Sequence, residues 1–210
     1  THSAVEPTYL LLPESAPDEL APEATHALMR NLEGYDAMLI GPGMGQEPAT
    51  RRLIEQVLFS GKNLPQTVVD ADALNTLATS QNPPWWERFQ QYAVLTPHPV
   101  EMSRLMGGVS LEELQVDRFA LAAAKSREWN KRVVLKGAHT FAVCNRGFGM
   151  ISPFANAGLA TAGTGDVLAG AIAGLLSQGL PPEIASTLGV YLHGAAAERV
   201  TERIGDSGVV

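Results

Sequence analysis

Apolar residues in this chain follow two rhythms. Short runs rich in β-branched and apolar side chains stand at Ala37–Ile40, Thr67–Asp70, Ala93–Leu95, Arg132–Leu135 and Phe141–Cys144 and predict strands. A further strand-like run occupies Tyr9–Leu12. Between and after these runs, helical patterns predict helices near 23–32, 49–60, 99–106, 110–129, 164–178 and 182–203. Ser110-x-x-Glu113 has the form of a capping box, and Pro99 and Pro182 stand where a first helical turn tolerates proline. The stretch 141–151 predicts a hairpin turning at Asn145-Arg146-Gly147, and 82–86 predicts a loop. Strands that are continuously apolar, as in M-L-I and V-V-L, suit a mainly parallel sheet covered by helices on both faces. The expectation is therefore one α/β domain spanning 1–210.

Composition narrows the partners. The chain has 210 residues, 45% hydrophobic and 18% charged, enough to bury a sizeable core. A net charge of −7 argues against a nucleic-acid or anionic-membrane surface, so an anionic ligand must be held locally by helix ends and a few basic groups. The lone Cys144 excludes an internal disulfide framework and fits a reducing, cytoplasmic setting. No apolar run is long enough to span a membrane, and the opening T-H-S-A-V-E-P has neither region of a signal peptide. The chain opens on Thr1 and stops at D-S-G-V-V, which reads as truncation at both ends.

Chemistry concentrates where the predicted strands end, the place where ligands collect in doubly wound sheets. The densest segment is Asn156–Gly170, N-A-G-L-A-T-A-G-T-G-D-V-L-A-G, in which glycines 158, 163 and 165 lead into a helix start. Unpaired N–H groups, the positive end of the helix dipole and the absence of Cβ atoms make such a turn an anion site. Asp166 in that turn is either a helix-capping acid or a general base beside a bound phosphate. Gly41-Pro42-Gly43-Met44-Gly45 follows the first central strand, as a tight turn or a backbone surface for a ligand. Asp70-Ala71-Asp72-Ala73-Leu74-Asn75 could hold Mg²⁺ through waters, or supply a cap to the next helix. Thr96-Pro97-His98-Pro99-Val100-Glu101 fixes His98 between two prolines, as a structural residue or a ligand contact. Lys136-Gly137-Ala138-His139-Thr140 suits a phosphate or ribose contact, or a lysine snorkelling at a sheet edge. His2, His26, His139 and His193 share no metal-ligand spacing, and Trp85, Trp86 and Trp129 read as packing.

In order, G-P-G-M-G, V-V-D-A-D-A-L-N, L-T-P-H-P-x-E, L-K-G-x-x-T and N-x-G-x-A-T-x-G-T-G-D-V-L-x-G resemble the ADP- or ATP-dependent NAD(P)H-hydrate dehydratases from about Tyr9 to Arg203. The resemblance implies a ribokinase-like fold and a metabolite-repair reaction that returns hydrated NADH or NADPH to its active form at the expense of a nucleotide. It implies that Gly43, Gly45, His98 and Asp166 meet the hydrated substrate and that Asp166 is catalytic. It assigns the adenine nucleotide to Lys136, Gly137, Ala138, His139, Thr140, Thr164 and Gly165. Mg²⁺ and ADP, ahead of ATP, are the implied cofactor and co-substrate, and no metal ligand is named. A homo-oligomer, tetrameric in the family, and an epimerase domain or partner are further implications. Val100 departs from the family's usual P-H-P-G-E. The rival readings are a small-molecule kinase of the same superfamily and a non-catalytic adenine-nucleotide-binding fragment.

Overall fold

A computed structural model describes residues 7–17, 19–80 and 82–205; His2 and the closing D-S-G-V-V segment lie outside the described residues. A small antiparallel hairpin, β1 (Glu14–Ala16) and β2 (Glu19–Leu20), precedes the main body. Four parallel strands then follow in chain order: β3 (Ala37–Ile40), β4 (Gln66–Val69), β5 (Ala93–Leu95) and β6 (Arg132–Leu135). Two antiparallel strands, β7 (Phe141–Val143) and β8 (Gly149–Ile151), complete a six-stranded sheet ordered β3-β4-β5-β6-β7-β8. This last pair is the hairpin expected over 141–151.

Helices α1 (Ala24–Asn31), α2 (Pro48–Leu58), α3 (Ala71–Thr79), α4 (Trp85–Arg88), α5 (Pro99–Leu105), α6 (Leu111–Val116) and α7 (Arg118–Trp129) lie between or before the parallel strands. Two more, α8 (Thr164–Ser177) and α9 (Pro182–Ile204), close the chain. The side chains of each buried strand divide between two cores. Ile40, Val69, Leu95, Val133 and Leu135 pack with Leu53, Leu74, Met102 and Trp129. Their neighbours Val68, Val94 and Val134 pack on the opposite face with Leu168, Ile172 and Leu176 of α8 and Val190 of α9. Alternation across the pleat thus feeds two layers of helices from one sheet. Among the described residues no helix is long and apolar enough to cross a membrane.

Four local expectations change. Tyr9–Leu12 forms no strand; Tyr9 and Leu11 are 80% and 91% exposed, and β-propensity without a neighbouring strand gains nothing. The helix expected over 110–129 breaks at Asp117, whose extended backbone and side chain, accepting from Ala120 N–H, start α7 anew. The loop expected over 82–86 runs into α4, with Trp85 buried against Trp129. Helix α3, outside the predicted set, begins at the end of β4. The three tryptophans do pack together, with ring centroids 5.1 to 6.2 Å apart.

Candidate active site

A cleft of about 730 Å³ opens at the carboxyl ends of the parallel strands. Its walls come from both helical layers. Asp70, Ala71, His98 and Glu101 line it from the ends of β4 and β5, and Lys136 to Ala138 from the end of β6. Phe154, Asn156 and the 161–166 turn close it from the side of α8.

Lys136 is the centre of this arrangement. Its Nζ donates to Asp70 Oδ1 at 2.8 Å and lies 3.8 Å from Glu101 Oε2. A β-carbon placed on Gly165 would come within 3.2 Å of the same Nζ, so the ammonium rests against the G-T-G-D backbone. Asp70 takes the N-cap position of α3 without capping it, because its side chain is turned to Lys136. Its other oxygen, Oδ2, is buried with no hydrogen-bond partner. Ala71 beside it holds a positive φ of 48°, an uncommon conformation for a residue with a β-carbon, at the cleft wall.

His98 caps α5. Its Nδ1 accepts from Val100 N–H at 3.1 Å and Glu101 N–H at 3.3 Å, while Glu101 Oε2 accepts from His98 N–H at 2.8 Å. P-H-P-V-E therefore forms a complete capping box, whereas at Ser110 the hydroxyl accepts from Glu113 N–H. An Nδ1 that accepts two bonds leaves the proton of the neutral ring on Nε2, which stands 3.4 Å from Glu101 Oε1. Burial, then the charges of Lys136 and Arg104, push the His98 pKa below its ordinary value. Burial raises that of Glu101 against the opposing pull of Lys136.

The G-T-G-D turn is held open. Gly163 adopts a left-handed conformation at the N-cap of α8, and no side chain caps the first turn. Thr164 Oγ1 instead donates backward to Leu159 O and Thr161 O at 2.7 and 2.8 Å, anchoring the turn to the preceding 3-10 segment. Asp166 is exposed at the mouth of that turn. The first turn of α8 is thus left without a side-chain cap, with Asp166 exposed within it.

The other expected residues divide. Gly137, Ala138, Thr140, Thr164 and Gly165 line the cleft with His98, Lys136 and Asp166. His139 is not among the lining residues: its N–H donates to Phe154 O, and its Nδ1 lies 3.1 Å from Ser152 O. Gly43 and Gly45 also lie outside the lining, on a loop shaped by Asp72, whose Oδ2 accepts from Gly45 N–H at 2.8 Å. Asp72 is therefore used within the protein, as is Asn75, whose Oδ1 accepts from Arg104. Gly41 begins the same loop with φ 122°, and a β-carbon there would fall 1.8 Å from Asp70 O.

Three participants were given no role of their own by the sequence. Glu101 closes the α5 capping box and is also the second carboxylate around Lys136. His193, on α9, lines the cleft. Arg118 donates to Lys136 O at 2.9 Å and Ala138 O at 3.1 Å, clamping the turn that carries Lys136. The last contact is tertiary and leaves no local signal.

A mainly parallel sheet covered by helices on both faces, with an uncapped helix start and a lysine-bridged carboxylate cluster at its strand ends, defines an α/β protein of ribokinase-like fold. The family description NAD(P)H-hydrate dehydratase matches residues 2–209, and the chain belongs to that family. It is 44% identical over 194 residues to a bifunctional NAD(P)H-hydrate repair enzyme of Moorella thermoacetica, covering 92% of this chain and 36% of that protein. It is 38% identical to an ADP-dependent (S)-NAD(P)H-hydrate dehydratase of Neisseria meningitidis, covering 82% of this chain and 58% of the relative. An ADP/ATP-dependent NAD(P)H-hydrate dehydratase of Bacillus subtilis, crystallised with ATP and Mg²⁺, superposes with TM-score 0.70 and 31% identity over 85% of this chain and 60% of its own. The chain thus spans less than two thirds of these relatives.

Proposed function

We propose that this chain performs nucleotide-dependent dehydration of hydrated NADH or NADPH, with ADP as the preferred phosphoryl donor, giving AMP, phosphate and the restored dinucleotide. The observation that supports it best is the junction of an uncapped helix start, Lys136 Nζ and the exposed Asp166 carboxylate in one cleft.

The phosphates of the nucleotide take the free N–H groups of the α8 turn, with Lys136 as the neighbouring positive charge. Asp166 accepts the proton of the substrate hydroxyl as its oxygen attacks the terminal phosphorus and the phosphoanhydride bond breaks. Phosphate is then the leaving group in place of hydroxide. The ring-nitrogen lone pair expels it, and loss of a proton from the neighbouring carbon restores the double bond. His98, fixed as a neutral ring by the capping box, orients the hydrated ring without adding a positive charge that would oppose this electron push.

Mg²⁺ fits as an ion carried by the phosphates. Among the described residues no group of three or more His, Cys, Asp or Glu could hold a metal ion, whereas the unpartnered Oδ2 of Asp70 offers a carboxylate oxygen at the cleft wall. Asp70, with phosphate oxygens and water, would hold it, and it would supply neutralisation of charge developing on the phosphoryl group. The proposed setting is cytoplasmic and homo-oligomeric, with an epimerase domain or partner beside this one; the bifunctional names of the relatives support a second activity there.

The test is to mix the protein with Mg²⁺ and hydrated NADH, add ADP or ATP in parallel, and follow the absorbance of restored NADH. Restoration supports the dehydratase and identifies the donor. A phosphorylated product that accumulates without NADH would point to a kinase, and nucleotide binding without turnover to a binding module.

A further inference from the structure

A second groove, of about 570 Å³, lies outside the main cleft and is lined by Gln46, Arg51, Asn75, Thr79, Arg104 and the glycine pair 107–108. In a chain of net charge −7 it gathers two guanidinium groups, and among the described residues neither lies within ion-pair distance of a carboxylate. Both are braced. Arg51 Nε donates to Gln46 O at 2.9 Å, and Arg104 Nη1 donates to Asn75 Oδ1 at 2.7 Å, leaving the remaining N–H groups of each fork unassigned. Gln46 is itself fixed by its Nε2, which donates to Asp72 O and Oδ1. Gly107 and Gly108 have positive φ and open space where side chains would stand, so the floor is bare backbone.

The groove neighbours the main cleft along α3 and α5. Ala71 and Glu101 line the cleft, and Asn75 and Arg104 line the groove on the same two helices. The helical rise puts these pairs about 6 Å apart along α3 and about 4.5 Å apart along α5. The charge of Arg104 acts on both His98 and Glu101. Gln46 directly follows Gly45, at the end of the loop that Asp72 shapes.

We propose that Arg51 and Arg104 form a phosphate-binding subsite for the distal half of the dinucleotide substrate. Two braced planar forks without carboxylate partners match phosphate oxygens in a way that a single lysine does not. The proposal rests on the dehydratase reading, since it takes the nicotinamide half to lie at His98. The shared chemistry is a phosphate group, either the pyrophosphate common to both dinucleotides or the additional 2′-phosphate of the NADP form.

The experiment is calorimetric titration of the wild type and of Arg51→Gln/Arg104→Gln with NAD⁺ and NADP⁺ in saturating ADP, with ADP alone titrated as a probe of the main cleft. The variant is expected to lose roughly tenfold or more in dinucleotide affinity, as for lost hydrogen bonds to a charged group, with ADP affinity unchanged. A loss confined to NADP⁺ supports the subsite through the 2′-phosphate, and an equal loss for both supports it through the pyrophosphate. Arg51→Lys/Arg104→Lys, which keeps charge and loses the fork, is expected to fall between wild type and the Gln variant. Unchanged dinucleotide affinity, absence of dinucleotide binding to the wild type, or a parallel loss of ADP affinity each overturns the subsite. A wild type that restores NADH while the Gln variant binds normally keeps the dehydratase and loses the groove. A wild type that restores nothing yet shows fork-dependent binding does the reverse.

Discussion

Lys136 and Asp70 lie 66 residues apart in the chain and form a 2.8 Å ion pair across the ends of β6 and β4, with the Asp70 side chain only 1% exposed. Removing the lysine leaves a buried carboxylate with neither oxygen partnered, since Oδ2 has no hydrogen bond even in the intact pair. Lys136→Met is expected to destabilise the protein by about 3 kcal/mol, read from urea denaturation. Asp70→Asn/Lys136→Met, which removes both charges, is expected to recover part of that loss. A double variant whose loss equals the sum of the losses of Lys136→Met and Asp70→Asn measured singly would show that the pair carries no coupling.

Asp166→Asn separates chemistry from folding. The side chain is exposed and takes part in no cap of α8, so the melting temperature is expected to stay within a degree or two of wild type, as for most surface changes (about 0.5 kcal/mol or less). The amide cannot accept the hydroxyl proton, and turnover is expected to fall by about 10²–10⁴. Near-normal turnover in the Asn variant would remove Asp166 from the mechanism.

Acid should weaken the protein through His98. Its folded pKa lies below the ordinary 6.5, so the unfolded chain binds the proton first as pH falls. Stability contributed by the neutral ring is complete above pH 6.5 and is lost as pH drops toward the folded value, because protonated Nδ1 cannot accept from Val100 and Glu101. His193, also lowered, acts in the same direction. Denaturation midpoints measured from pH 7.5 downward should therefore decline, and more shallowly in His98→Asn, whose side-chain oxygen retains an N-cap acceptor without titrating.

Gly41 has no substitute. Alanine there would combine a φ of 122° with a β-carbon 1.8 Å from Asp70 O, a backbone atom that cannot swing aside. Gly41→Ala is expected to cost about 3 kcal/mol or more and to lower turnover in whatever fraction folds, because the displaced strand end carries Asp70. Gly43→Ala, with open space at its β-carbon but φ 68°, is expected to cost only about 1–2 kcal/mol. Equal melting temperatures for the two variants would contradict this account.

The sheet was legible because its central parallel strands are largely buried on both faces, and such strands read as nearly continuous apolar runs: Val68 and Val69 serve opposite cores. The cleft was legible wherever its chemistry sits within a few residues, as in G-T-G-D and P-H-P-V-E. Helix ends set by a single side chain were less so, and Asp117 divides α6 from α7 although the apolar pattern runs on. Contacts between distant segments were beyond reach. Neither the clamp of Arg118 on the Lys136 turn nor the diversion of Asp70 from capping to ion pairing has any trace at the spacing of a motif.

The cleft is a seam between two hydrophobic layers that share one sheet. Lys136, Asp70, His98 and Glu101 are positioned by the layer that includes Leu74, Met102 and Trp129, whereas Asp166 rides on α8, seated by Leu168, Ile172 and Leu176. The distance between the Asp166 carboxylate and the Lys136 ammonium is therefore set by how two hydrophobic layers grip one sheet. A methylene lost beneath α8, as in Ile172→Val, acts first on the seat of Asp166 and reaches Lys136 only through the Gly165 backbone on which its Nζ rests. Under the proposed mechanism, the alignment of the proton acceptor is exposed to packing changes almost two helical turns along α8 from Asp166.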